Sequence, residues 1–542
     1  MSEPRDLVWS RFPGNDEVTE PLLLGEALVK EPQGAAMFTP DSADVYGDGS
    51  FVQRRPGVKL MTNQAGEIGV VYDLVRIAGT NAAGSRGKDI LAGLFLDNGS
   101  MCWGGNWEVG ALPSITRLGS GPLGFVDAQR TATMTMAGAR WVMVRNGNGV
   151  SFTQPTYEWN GSGYAVGSFI GPANPDGSPM SAHRGVWHKE QYFILSNQDP
   201  RYASRVQPSV RNNPTQNNLT DAFVVEEDGI FQIHGGYSTG DRLFLGRSGA
   251  LFMLLGATPD KFRIVPISTK YGVAGIRGGD RIGPDQLLVF LTEAGKPSGA
   301  TAETPAPRNV GVIIGGELKV IGDKMLTSIR ASADARTETQ VQNWTALRGA
   351  LMIPKRVTTK TAATALFLST AEGGFWKWTL TDGVGVACLR EAGGTMYMGT
   401  ADTVAASVIK GFKYFDPTLA ADNGTAFTPY ISSPPFRTSE KAQIEKITVF
   451  VSQTSGTLSQ WTAARRLPDG TYETARSMTL AADNGAALDG QPRPISVSYT
   501  GPASSGTSAI AQYINGFKIS MPTDGVGSKI HKIVISLKSV GK

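Results

Sequence analysis

The chain has 542 residues, 66 of them glycine and 31 proline, without a Gly-X-Y period, which excludes a collagen. Hydrophobic residues make up 41 % and charged residues 18 %, the reverse of the balance that keeps a chain disordered. Lys+Arg 51 against Asp+Glu 47 leaves a net charge of +4, far from the strongly basic balance of a nucleic-acid coat.

The chain begins Met1-Ser2-Glu3-Pro4-Arg5, with neither a basic n-region nor an apolar h-region, so no signal peptide is expected. No apolar run approaches the ~20 residues of a membrane span, and the expectation is a soluble protein made in the cytoplasm. Residues 1–60 are rich in Pro and Gly and weakly periodic, which predicts an extended N-terminal arm. From 61 to 426, short apolar runs alternate with Gly, Asn-Gly and Asp-Gly. Ile90 to Leu96 turns at Asp97-Asn98-Gly99, and Trp141 to Val144 turns at Asn146-Gly147. Such dipeptides favour tight hairpins, because both central residues of a type I′ turn need φ > 0.

Strand centres near Leu94, Met143, Ile194, Leu245, Val289, Ala350 and Met396 recur about every 45–60 residues, the period of a four-stranded propeller blade. A blade cannot bury both faces alone, so blades stack and the ring closes. The fold predicted is all-β: a β-propeller of six or seven blades over 61–426. The best helix candidate, Asp323 to Gly349, is polar on most faces. From about Phe427 the style changes. Ile444 to Ser452, Gly516 to Met521 and Ile530 to Leu537 alternate with period two, which predicts a separate antiparallel β-sandwich-like domain over 427–542.

Chemistry-bearing motifs are weak. His183, His188, His234 and His531 accompany no HExxH or CxxC and read as solvent-facing or hydrogen-bonded loop residues, not zinc ligands. Cys102 and Cys388 read as buried free thiols. Gly295-Lys296 fails as a phosphate loop because Pro297 follows it and Phe290 stands at the first Gly. Gly246-Arg247-Ser248-Gly249 reads as a hairpin, not a nucleophile elbow. Glu226-Glu227-Asp228 reads as an acidic hairpin tip; a glycosidase would need a second carboxyl at ~5–9 Å. Asp41, Asp44 and Asp48 lack EF-hand spacing. Asn-x-Ser/Thr at Asn98, Asn160, Asn218, Asn343 and Asn423 carries no meaning without secretion. No catalytic residue, metal ligand or cofactor is predicted. Between Asp199 and Asp221, however, Arg201, Arg205 and Arg211 occur without an acid, and three guanidiniums there would suit phosphate or an acidic neighbour.

The segment Thr220 to Gly295 has a distinctive order. Asp221 to Val225 comes first, then Gly229 to His234, then the hairpin Leu243 to Leu254. Phe262 to Ile267, Tyr271 to Gly275 and Gln286 to Leu291 follow. With Arg54-Arg55-Pro56-Gly57-Val58 after a polar arm, and Pro435-Phe436-Arg437-Thr438 ahead of Lys446 to Val451, it resembles the tail nozzle and packaged-DNA-stabilisation proteins of short-tailed bacteriophages. The resemblance implies a structural virion protein in the phage tail, made in the host cytoplasm and without enzymatic activity. It implies a homo-hexameric ring below the portal and adaptor proteins, with tail fibres among the neighbours, that extends the DNA channel and retains the packaged genome until ejection. DNA would pass without sequence-specific binding, which a near-neutral chain suits, since each Lys or Arg on a phosphate adds grip. Arg54, Arg55, Pro56 and Gly57 would carry subunit or adaptor contact. The alternative is a propeller that binds or hydrolyses host glycans.

Overall fold

Seven runs of five to eight residues, each containing one of the predicted strand centres, form the second strands of seven sheets. The structure, a computed structural model, describes residues 6–9, 22–23, 42–47, 49–60, 70–77, 90–96, 102–104, 115–117, 133–137, 141–145, 156–159, 164–167, 173–178, 180, 182–197, 199–226, 231–273, 277–293, 309–321, 340–353, 365–370, 375–382, 385–401, 412–433, 436–437, 442–454, 460–467, 471–480, 491–499 and 514–539. The chain divides into two units. One holds Leu60–Thr364 and Gly383–Tyr414; the other holds Met1–Lys59, Ala365–Asp382 and Phe415–Lys542.

The first unit is the propeller. Its innermost strands are Val70–Ile77, Thr133–Ala137, Ala182–His188, Gly235–Thr239, Gly279–Gly283, Gln340–Trp344 and Gly385–Ala392, which begin blades 1 to 7. Each neighbours the next, and the seventh neighbours the first, so the ring closes. In blades 2 and 4 the four strands are antiparallel and consecutive. In blade 4 the order is Gly235–Thr239, Arg242–Arg247, Ala250–Leu255, Arg263–Ser268. The Ser248-Gly249 turn, with Gly249 at φ 74°, makes the hairpin expected of Gly246 to Gly249.

The second strand of blade 4 is apolar at its centre because both of its faces are covered. In blade 4, Leu243 and Leu245 pack with Phe193, Leu195 and Val206 of blade 3. Phe244 faces the other way, onto Val273, Leu287 and Val289 of blade 5. Each such side chain, fully buried, contributes about 1.5–3 kcal/mol, so the interfaces between blades are where the ring gains its stability.

The helix expected over Asp323 to Gly349 is not what forms in its described part. Gln340–Trp344 is an inner strand, Thr345–Leu347 a single 3-10 turn, and Gly349 begins the next strand; residues 323–339 lie outside the described residues. Buried Val341 and Trp344, paired with Met352 and Gly349, outweigh the local polarity.

The second unit is a platform of mainly antiparallel sheets. Its largest sheet runs Val45–Gly47, Val52–Arg54, Lys529–Ser539, Ala442–Ser452, Arg493–Ser498, Thr479–Leu480, with Asp6–Trp9 also paired to Lys529–Ser539. Alternation puts Ile447, Val449, Ile533 and Ile535 inside, as the period-two pattern predicts. A second sheet orders Tyr430–Ser432, Phe517–Ser520, Thr462–Arg465, Arg476–Ser477. Of the arm, the described strands Asp6–Trp9, Leu22–Leu23, Val45–Gly47 and Val52–Arg54 lie in sheets with C-terminal strands. Besides Asp6–Trp9, Leu22–Leu23 runs parallel to Phe436–Arg437. The hairpin Ala365–Thr370 and Phe375–Thr379 belongs to this unit and buries Trp376 and Trp378 completely.

Candidate functional site

Among the residues singled out from sequence, Arg54 to Gly57 form the tightest cluster, and it is an internal one. Asp44, in the left-handed region at φ 59°, and Asp422 close on Arg55 from two sides. Arg55 Nε donates to Asp44 Oδ1 at 2.6 Å, Nη1 to Asp422 Oδ1 at 2.8 Å and Nη2 to Asp422 Oδ2 at 2.6 Å. Nη1 and Nη2 also reach the carbonyls of Pro56 and Thr379, so all five guanidinium N–H groups are engaged. Burial opposes this charge, but the hydrogen bonds and charges of Asp422 and Asp44 outweigh it and hold the Arg55 pKa above its ordinary value.

Arg54 donates to the carbonyls of Pro522, Thr523 and Ala420, and both guanidiniums lie over the Phe427 ring. Burial, then the Arg55 charge, lowers the Arg54 pKa to about 10. Gly57 is held against the 419–421 backbone, where a Cβ would come within 2.5 Å of the Ala421 carbonyl oxygen. The segment is therefore a brace within the platform. A subunit or adaptor contact in this region would fall to the residues it positions rather than to these side chains. Asp44, considered above with Asp41 and Asp48 as a calcium ligand, is committed to Arg55 and to the Thr379 N–H.

Arg201, Arg205 and Arg211 do not converge. Arg201 lies on the connection between the second and third strands of blade 3, and Arg211 on the hairpin between the third and fourth. Successive antiparallel connections fall at opposite ends of a sheet. Acids from outside the interval meet two of them. Arg201 pairs with Asp199 and Asp176 at 2.8 and 3.0 Å, and Arg211 with Glu190 at 2.6 Å. Arg205 is half-buried, donates to the Leu219 carbonyl at 3.3 Å, and has its pKa lowered by that burial. Glu226, read as part of an acidic tip, accepts from Arg247 of the neighbouring blade.

Two of the histidines, His188 and His234, are buried. His188 ends the inner strand of blade 3, with Nδ1 2.9 Å from Ser238 Oγ of blade 4. Burial, then the Lys189 charge, lowers the His188 pKa to about 4, against a weaker pull from Asp241. Its folded pKa is depressed below the unfolded value of roughly 6.5, so the unfolded chain takes up the proton first. Stability from this group is complete above about pH 6.5 and is lost as pH falls toward 4, by roughly 2–3 kcal/mol. Urea unfolding at pH 7.5 and 4.5 checks this: His188→Gln should lose markedly less stability between the two than the parent chain.

The site that sequence reading missed is the propeller axis. A cavity of about 140 Å³ is lined by the inner strands of five consecutive blades, with Gly185, Ser238, Arg277, Asp280, Gln342 and Arg390 among its walls. Asp280 Oδ2 accepts from Gln342 Nε2 at 2.9 Å and from the Asn343 N–H at 2.7 Å, and Oδ1 accepts from the Arg281 N–H at 2.8 Å. Gln342 Oε1 accepts from Arg390 Nη1 at 3.3 Å. Gln340 is locked to blade 7, donating to the Leu389 carbonyl and accepting from its N–H. Burial raises the Asp280 pKa, while the Asn343 N–H and the charges of Arg390 and Arg277 restrain the rise.

The ring of inner strands defines an all-β propeller protein. No protein-family profile matches the chain, and no curated protein matches it in sequence. Among solved structures, the Pan2 WD40 domain of Neurospora crassa is similar over 69 % of this chain and 95 % of that one, at 9 % identity and TM-score 0.35. The N-terminal domain of Nup159 is similar over 70 % and 96 %, at 8 % identity and TM-score 0.36. An exo-β-1,3-galactanase from Phanerochaete chrysosporium is similar over 85 % and 100 %, at 8 % identity and TM-score 0.24. The propeller assignment rests on the closed ring itself.

Proposed function

We propose that the chain is a structural component of a short-tailed bacteriophage tail: a nozzle subunit that forms a homo-hexameric ring beneath the portal and adaptor, extends the DNA channel and retains the packaged genome. The observation that carries this reading is the construction of the platform. Both chain ends and residues 365–382 fall in one unit, and the chain passes between the two units at 59/60, 364/365, 382/383 and 414/415. A part that bears load in an assembly is served by two units that no single linker joins. The pairing of Arg201 and Arg211 with acids also suits a conduit along which DNA slides, because it offsets the charge that would otherwise grip phosphate.

Hydrolysis of glycans is the weaker reading. Asp280 is the one carboxylate among the described residues lining the axial cavity, and the two-carboxyl mechanism needs a partner at ~5–9 Å. Electron microscopy of the purified chain, alone and mixed with a portal–adaptor complex, tests the proposal. Six-fold rings that dock on the complex are expected. A chain that stays monomeric at all concentrations and adds nothing to the complex would overturn it.

A further inference from the structure

We infer that the outward face of the platform's largest sheet is a sequence-independent contact surface for the phosphate backbone of a nucleic-acid duplex. Its role rests on the DNA passage proposed above, while the binding itself is measurable on the chain alone. The two long strands of the sheet, Ala442–Ser452 and Lys529–Ser539, have 11 residues each, or about 35 Å, close to one turn of a duplex.

Register sorts their side chains. With Ile447, Val449, Ile533 and Ile535 inside, Lys446, Thr448 and Phe450 face outward, opposite Ser536, Val534 and Lys532. On the other side, Lys446 and Thr448 lie opposite Ser498 and Ser496. Lys529 and Lys538 extend the row toward the two ends of the same strand. Lys446 is exposed and makes no ion pair among the described residues, and Lys538, with 63 % of its side chain exposed, meets Glu445 at 3.7 Å. Glu445 and Asp6, the latter opposite Ser536, are the acids in the described strands of this sheet. The net charge of +4 is therefore unevenly placed, and this face carries a surplus of ammonium groups. Ammonium and hydroxyl donors repeated along a face of this length match a polymer with a charge at every repeat. Lys529 lies over the Phe51 ring at 4.5 Å and Lys532 over Phe450 at 5.5 Å. A single strand would need those rings for base stacking, and lysines already occupy them, so the face suits the backbone of a duplex. Four lysines make a contact that salt loosens readily, which suits DNA that must slide.

Fluorescence anisotropy of the full chain with a labelled duplex of about 20 bp, at fixed pH and between about 50 and 200 mM salt, tests this. Binding is expected at the low-salt end and should be equal for two unrelated sequences. At the high-salt end it should be about a hundredfold weaker, the loss for about four phosphate contacts. Lys446→Gln combined with Lys532→Gln should weaken low-salt binding at least about tenfold and flatten the log–log salt slope by about two. Each single substitution, at about one, serves if the double variant does not fold. Lys319→Gln, on the last strand of blade 5, should change neither quantity. No binding at the low-salt end, or a slope that the lysine variants leave unmoved, would overturn the assignment. So would a single strand that binds more tightly than the duplex. Poly-L-glutamate that displaces the duplex better than unlabelled duplex does at equal charge would also overturn it, and would make the face a protein-docking one. Six-fold rings without duplex binding would refute the surface and leave the assembly standing. Duplex binding by a chain that never forms rings would keep the surface and remove the assembly.

Discussion

Replacing Arg55 with alanine is expected to destabilise the platform by about 3–5 kcal/mol, because it leaves Asp44 and Asp422 buried without their common cation. The geometry makes the position intolerant even of lysine. Five N–H groups in a planar fork meet two carboxylates and two carbonyls. An ammonium offers three donors from a single point, so Arg55→Lys should lose most of the same stability. The cost arises from stranded charge and not from lost volume, so Arg55→Met combined with Asp44→Asn and Asp422→Asn should recover a large part of it. Urea unfolding followed by tryptophan fluorescence reads all three variants, since Trp376, Trp378 and Trp461 are buried in the same unit. A loss below about 1 kcal/mol in Arg55→Ala would contradict the brace.

The second large effect is expected at Trp378, where alanine should cost about 3–5 kcal/mol. The ring is fully buried and meets Tyr46 and Phe415 edge-on, with centroids at 5.8 and 5.3 Å. Its Nε1–H donates to the Val45 carbonyl at 2.8 Å. Trp378→Phe keeps most of the apolar contact and removes the donor, so it should cost less, about 1–3 kcal/mol, chiefly for the stranded carbonyl. Thermal and urea unfolding of both variants separate the two contributions. Equal losses would mean that the hydrogen bond, not the packing, carries the site.

The seven apolar centres from Leu94 to Met396 all lie in second strands, and this is why the propeller was legible. A strand covered on both faces is a continuous apolar run that needs no partner information to be seen. The inner strands were not legible, because residues such as Gly279-Asp280-Arg281 and Gln340 to Gln342 face a polar axis and look like loop. The signal that would have found the site is the polar or glycine-rich stretch a few residues before the second strands of blades 4, 5 and 6. Arg54 and Arg55 stood out as a motif, but their surroundings did not. One acid partner is 11 residues away and the other 367, and only the fold brings both to one guanidinium. The same holds for Arg201 and Arg211, whose acids lie outside the interval that made them look unbalanced.

The strand Lys529–Ser539 is flanked by Ala442–Ser452 on one side and by Asp6–Trp9 and Val52–Arg54 on the other. It is synthesised hundreds of residues after the strands at 6–9 and 52–54. At ~5–20 residues per second, the strand at Val52 waits roughly half a minute to a minute and a half for its partner Ile530. During that interval the arm is an unsatisfied template, able to pair with another nascent chain as readily as with its own tail. Slower synthesis and closer crowding on the message are therefore expected to lower the share of this protein that matures correctly.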